Sequence, residues 1–402
     1  MFNDKKISCF ILLSLVVLAV GLLTSISLMS GFHLLMILPI LYCGKNYDWK
    51  KFPKSGWALL ALVLILILSV VVNHNIVARP MKNIFKVKYY LIGALSLIPL
   101  RFYFQEYLTS EKSEKVLRGL LLTLLLASTA ATVSGLIAYF TEFNPLRMAH
   151  VNSHRNGGVF GMLMTYGHSI AWLSVLLVAM SLQYKSVKKL ITLRPLLFFT
   201  SISIVGLFTS HVRGAWIAFF AGCLIINKKL TAALIVLCVI GVMGMSKYDP
   251  SFWKTHILRN TSNKERVGCW LAAIKAFQEK PVLGLGYLNF EPYSKEIKVR
   301  YSLPDPDFGS HAHNDLLEIL ASSGILGGIS FLLWVSLWIW EMLKRRDLAT
   351  QLIIPFIVSF LVSGLTQVTF NDGENAFFLM IVYALSQVLW RNESRTSNLC
   401  KS

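Results

Sequence analysis

The sequence predicts an all-α polytopic membrane protein of about twelve transmembrane helices, with both termini cytoplasmic and a large, partly helical loop on the opposite side. Three observations carry that prediction. Of the 402 residues, 55% are hydrophobic and only 15% charged, with a mean hydropathy of +0.60, more apolar side chain than a soluble core needs. Apolar runs recur at about the length that crosses a roughly 30 Å hydrocarbon layer. Lysine and arginine gather in alternate loops between those runs, as the positive-inside rule requires.

The runs lie at about 7–28, 31–44, 56–73, 89–105, 117–140, 158–182, 195–211, 214–227, 230–246, 314–343, 350–370 and 374–390. The first follows Lys5 and Lys6 as a signal peptide would, but it is long and lacks a small-residue cleavage site, so it reads as a retained helix. Residues 1–246 then hold helices one to nine, 247–313 form the large outside loop, 314–391 hold the last three helices, and 392–402 form a cytoplasmic tail. With the N-terminus inside, 22 of the 39 Lys and Arg residues face inward and 7 lie in short outside loops. The other 10 lie in the long outside segment, which translocates largely regardless of charge. Residues 195–226 admit two readings, a hairpin around His211-Val212-Arg213-Gly214 or one long interrupted helix; the charge count favours the hairpin.

The net charge of +19 is thereby a matter of topology, and nucleic acid is not an expected partner. The six cysteines give neither a disulfide framework nor zinc spacing, and Cys269 stands alone in the longest hydrophilic stretch. In the outside loop at 73–88, Arg79, Lys82 and Lys86 share a helix face, where they either snorkel to headgroups or dock an anionic lipid.

Parity along the helices places Arg213, Arg266 and His313 together on the outer face, two guanidinium forks and an imidazole suited to a diphosphate. Arg213 is flanked by apolar sequence, with Gly214 permitting close approach and Trp216 suited to an interface. Ser262-Asn263-Lys264-Glu265 fits a capping box that puts Arg266 on the first turn of an amphipathic helix, with Trp270, Ala273 and Phe277 on its face and Pro281 ending it. An anion there would meet the guanidinium and the helix-start N–H groups together. Asn314 or Asp315 should cap the tenth membrane helix, with Asp315 and Glu318 as a capping box; a histidine beside that terminus favours its neutral form and can take a proton from a hydroxyl. His311 and Asn314 flank His313 as further binding candidates, and His311, His313 and Asp315 admit a metal reading, although no compact acidic cluster joins them. Arg147, His154 and Arg155, in the outside loop from Asn144 to Gly158, are further candidates for headgroup or sugar binding, or merely solvated. Asn371, Asp372, Glu374 and Asn375 read as capping the last helix.

At these residues the chain resembles the O-antigen ligase and O-antigen polymerase superfamily of bacterial inner-membrane glycosyltransferases. The resemblance rests on Arg213-Gly214-Ala215-Trp216, on Arg266 followed by Trp270 and Pro281-Val282-Leu283-Gly284-Leu285-Gly286, and on His313-Asn314 followed by Gly324 and Gly327. The chain's size, without a further soluble C-terminal domain, is more similar to the ligases. The resemblance implies a GT-C-like glycosyltransferase with a periplasmic site, an undecaprenyl-diphosphate-linked O-antigen donor and a lipid A-core acceptor. It also implies inverting transfer without metal, ATP or other cofactor, and it matches Arg213, Arg266 and His313 to the essential positions. Membrane lipids are the remaining expected partners, and the oligomeric state is left open.

Overall fold

The computed structural model describes residues 3–151, 154–248, 253 and 260–389. Asn152 and Ser153 of the predicted binding loop, part of the long outside segment and the predicted cytoplasmic tail lie outside the described residues. The described chain is built of helices: α1 (Asp4–Gly21), α2 (Ile26–Gly44), α3 (Lys54–Val72), α4 (Pro80–Lys86), α5 (Lys88–Arg101), α6 (Ser110–Thr141), α7 (Leu163–Leu182) and α8 (Tyr184–Val187). There follow α9 (Leu193–Thr209), α10 (Arg213–Ile226), α11 (Lys228–Tyr248), α12 (Asn260–Glu279), α13 (Phe290–Arg300), α14 (Asp315–Arg345), α15 (Leu348–Gly364) and α16 (Gly373–Val388). A two-stranded antiparallel ribbon pairs β1 (Phe143–Asn144) with β2 (Ala149–His150).

Each predicted apolar run contains a helix, and α4, α8, α12 and α13 are additional. Among the described residues, six helices, α2, α3, α6, α7, α11 and α14, are long and apolar enough to cross a membrane; α9, α10 and α15 are apolar but have only 14 to 17 residues. The protein is thus an all-α, multi-pass membrane protein. The α9–α10 segment is a fold-back rather than one helix: His211 sits at φ +52°, and Phe208 meets Trp216, Phe219 and Phe220 at ring distances of 5.4, 6.3 and 6.0 Å.

At the centre is α7, buried on nearly all sides, which fits its lack of a polar face. Its Trp172 packs edge-on against Phe356, Phe360 and Phe378, and its indole N–H donates to Ser363 Oγ at 3.0 Å, so the buried polar edge is satisfied. Around it, α10 and α15 pack along each other, as do α3 and α14, and α5 and α16.

A second, smaller core lies at the end of the bundle where α7, α10 and α14 begin. It joins Ala272, Ala273 and Ala276 of α12 to Leu285, Phe290, Ile297, Ala312 and Ala321. The α12 stripe predicted through Arg266, Trp270, Ala273 and Phe277 is therefore rotated: the side pressed inward carries Gly268, Cys269, Ala272, Ala273 and Ala276, because small residues let the helix approach α14 closely. The turn that follows α12 is fastened to α14 backbone to backbone. Leu285 N donates to Ala321 O at 2.9 Å and Ile325 N to Pro281 O at 2.8 Å, across a kink in α14 at Gly324. Gly324 has φ 64° and ψ −164°, a region open essentially to glycine alone, and a Cβ there would lie 2.2 Å from Val282 O. The glycines at 284, 286 and 324 thus serve close approach, not chemistry. Gly324→Ala should lower the thermal midpoint of the purified protein, the strained backbone alone costing roughly 1–3 kcal/mol; an unchanged midpoint would contradict the fastening.

Candidate active site

The chain from Phe308 to Asn314 is pinned almost residue by residue. From α13, the buried Lys298 ammonium donates to Phe308 O at 2.8 Å, and Ser294 Oγ accepts from Ser310 N at 2.9 Å. From α14, Glu318 Oε2 accepts from Ala312 N at 2.8 Å. Asn314 is the N-cap of α14, accepting from Leu317 N at 3.0 Å. His313 itself takes a left-handed backbone, φ +49°, a conformation retained where the surroundings dictate it.

These ties correct the expected capping box. Asp315 and Glu318 are both buried, and a carboxylate withdrawn from water needs donors wherever the fold supplies them. Asp315 finds Thr369 Oγ1 at 2.8 Å and Phe370 N at 2.9 Å, more than fifty residues away, and Glu318 finds Ala312 N. Asp315 is thereby committed to the α15–α16 connection and not to His311 and His313. Among the described residues, no three His, Cys, Asp or Glu side chains gather in a metal-holding group.

The two imidazoles lie with ring centroids 4.3 Å apart. One amide serves both: Gln367, nearly buried in the α15–α16 connection, places Oε1 2.8 Å from His313 Nδ1 and Nε2 3.1 Å from His311 Nε2. Burial lowers the His313 pKa from 6.5 to about 4, helped by the neighbouring His311, Arg266 and Lys298 against the opposing hydrogen bond to Gln367. His311 is lowered in the same way, chiefly by burial, with Glu291, Gln367 and Asp372 opposing. These shifts favour the neutral imidazole, and their largest cause is burial rather than the helix dipole. In the same core, burial raises the Cys269 thiol while the Lys298 ammonium, 3.3 Å from its sulfur, works against that shift.

Arg213 opens α10, and its Nη2 donates to Asn263 Oδ1 on α12 at 3.2 Å. Asn263 is one turn before Arg266, on the same helical face. Arg266 is the seventh residue of α12, which begins at Asn260, so Ser262 and Glu265 lie inside the helix and the expected first-turn placement is corrected. No helix-start N–H groups are left at that turn to share an anion with it; its field acts on His311 and His313 instead. The α10 start also abuts the histidine support directly. A Cβ on Gly214 would fall 2.1 Å from Thr366 Oγ1, the neighbour of Gln367, and 3.5 Å from the ring of buried His168 of α7. Arg213, Arg266, His311 and His313, drawn from three separate stretches of chain, thus meet at one end of the bundle.

The remaining predicted residues fall around this centre. Arg155 donates to Ser210 O at 3.0 Å and His211 O at 3.1 Å, closing the end of α9 and bracing the turn that carries Arg213. The Arg147 guanidinium lies against Gly161, and His154 is 74% exposed, 3.7 Å from Glu142. Arg79 precedes α4, which carries Lys82 and Lys86; Arg79 and Lys82 are exposed and Lys86 is half-buried. Neither group touches the histidine pair. Gln367, Thr366, Lys298 and His168 carry no role in the sequence reading, and Asn263 enters it only as part of a capping box; their signal is an interruption of apolar sequence by Thr366-Gln367-Val368-Thr369 and lone polar residues in otherwise ordinary helices.

Residues 196–332 match the O-antigen ligase family. Comparison with curated proteins gives no match. The family match runs from α9 into α14 and so contains Arg213, Asn263, Arg266 and the pinned histidine loop, together with the fastening glycines. It agrees with the resemblance to the O-antigen ligase and polymerase superfamily and places the protein broadly among membrane glycosyl-transfer enzymes. Gln367 lies beyond the matched stretch.

The depressed His313 pKa makes a stability prediction with a definite sign. Between about 6.5 and about 4 the unfolded chain binds this proton and the folded one does not, so stability present above 6.5 is lost as pH falls through that window. The thermal midpoint should therefore drop more between pH 7 and 4.5 in the native protein than in His313→Gln; equal drops would contradict a buried neutral imidazole.

Proposed function

We propose that the protein is an O-antigen ligase, transferring O-antigen polysaccharide from undecaprenyl diphosphate to the lipid A-core oligosaccharide. The observation that carries this reading is the gathering of Arg213, Arg266 and the held His311–His313 pair at one end of an apolar bundle. All twelve apolar helices are read as crossings of a bacterial inner membrane, with both termini cytoplasmic and the site facing the periplasm. The clustering of lysine and arginine in the opposite loops supports that orientation.

Arg213 and Arg266 bind the diphosphate. As the bond from the sugar C1 to the diphosphate oxygen breaks, charge grows on the leaving group, and the guanidiniums stabilise that charge more than the ground state. His313 takes the proton of the attacking core-sugar hydroxyl, which approaches C1 from the side opposite the diphosphate and inverts the anomeric centre. The glycosyl diphosphate is already activated, so the reading calls for no metal or nucleotide. Arg147, His154 and Arg155 form the polysaccharide side of the mouth, and Arg79, Lys82 and Lys86 attract an anionic lipid headgroup. The runner-up, a polymerase extending lipid-linked repeats, uses the same donor site with a different acceptor.

Purified protein given undecaprenyl-diphosphate glycan and lipid A-core should form the joined product with or without chelator, and His313→Ala should abolish it. Elongated lipid-linked glycan in place of the joined product would indicate the polymerase; movement of lipid-linked glycan with no covalent product would indicate a transporter. Arg213→Ala or Arg266→Ala should lower kcat by roughly 10²–10³-fold. Arg213→Lys should not restore it, because a point charge does not reproduce the planar fork; near-native transfer by that variant would overturn the clamp.

A further inference from the structure

We infer that Gln367 is a positioning residue that selects the reactive tautomer of His313 through a single amide shared with His311. This rests on the glycosyl-transfer reading of the site and names the residue that makes its base competent.

An amide side chain has one accepting oxygen and one donating nitrogen, and a neutral imidazole has one of each. With Oε1 of Gln367 2.8 Å from His313 Nδ1, the hydrogen must lie on Nδ1, because two lone pairs cannot bond. The His313 Nε2 lone pair is then the one available to a hydroxyl proton. The amide nitrogen, 3.1 Å from His311 Nε2, donates to that ring, so the His311 hydrogen lies on Nδ1, 3.5 Å from Ser310 Oγ. Turning the amide over reverses both rings together: His313 would carry its hydrogen on Nε2 and present a donor where a base is needed. Fixing the far nitrogen's bond to decide what the near one does is how oriented histidines work generally.

The fold holds the amide in place. Gln367 follows the last turn of α15, where its N–H donates to Ser363 O at 3.0 Å, and Thr369 and Phe370, two and three residues on, are tied to buried Asp315. On the ring side, Ala312 is held by Glu318 and Asn314 caps α14. The charged and titratable groups facing His313 are His311, Arg266 of α12 and Lys298 of α13; Glu291 and Asp372 act on His311.

Two substitutions separate this role from simple support. Gln367→Met keeps the volume and removes both hydrogen bonds; kcat should fall roughly 10²-fold or more with donor KM little changed. Gln367→Glu keeps an acceptor for His313 Nδ1–H, so it should recover most of that loss. Its carboxylate also favours imidazolium, so the acid limb of the kcat profile should move to higher pH. The tautomer itself is read by ¹⁵N NMR of histidine-labelled protein, with the His313 signal assigned by its absence in His313→Ala. The native protein should show Nδ1 protonated and Nε2 bare, and Gln367→Met a mixture. Native-like tautomer and kcat in Gln367→Met, or equal impairment of the Met and Glu variants with no shift of the acid limb, would overturn the inference. If the native protein transfers no glycan, the functional reading fails, while the NMR comparison still decides whether Gln367 sets the tautomer.

Discussion

Everything at the site depends on the backbone contact between the Pro281–Gly286 turn and the kink of α14 at Gly324. Main chain meets main chain there, with room for no Cβ on either side. The contact fixes α12 against α14, and with it the distance between the arginine helix and the histidine loop. Arg266 and Lys298 both act against protonation of His313, so no attraction between these cations and the imidazole draws them together. Rigid geometry, rather than attraction among the functional groups, keeps them together.

The second constraint is the satisfaction of buried polar groups. Asp315, Glu318, Lys298 and Gln367 are all nearly or fully buried, and their bonds tie stretches of the site to α14, α13 and the α15–α16 connection. Each bond is modest by itself, but leaving any of these groups unpaired in an apolar setting is costly. The same need that fixes the loop also fixes which atoms of His313 are engaged, so stability and chemistry draw on one network. Arg155 extends that logic to the other arm by closing the α9 terminus just before Arg213.

The membrane explains why so much of the fold was legible in the sequence. A helix that must satisfy its backbone in lipid declares itself by a long apolar run, and all twelve runs proved helical. Arg213, Arg266 and His313, which the fold brings to one end of the bundle, stood out as well, being polar residues set beside apolar sequence. What was not legible came from contacts between distant residues. The α12 start was misplaced because Ser262 and Glu265 imitate a capping box, whereas the helix begins two residues before Ser262. Asp315 and Glu318 look like local caps, yet their partners are set by tertiary packing. Gln367 lies 54 residues from His313 and is marked locally only by a polar break in an apolar run; the folding of α15 beside α14 brings them together.

The central claim is that Arg213 and Arg266 act on one diphosphate beside His313. It is tested most directly by a double-mutant cycle on binding of undecaprenyl diphosphate, using the native protein, Arg213→Ala, Arg266→Ala and the double variant. Two arginines on one diphosphate predict strong coupling, with the double variant losing clearly less affinity than the two single losses combined. Losses that simply add, or no loss from either single variant, would contradict a shared site.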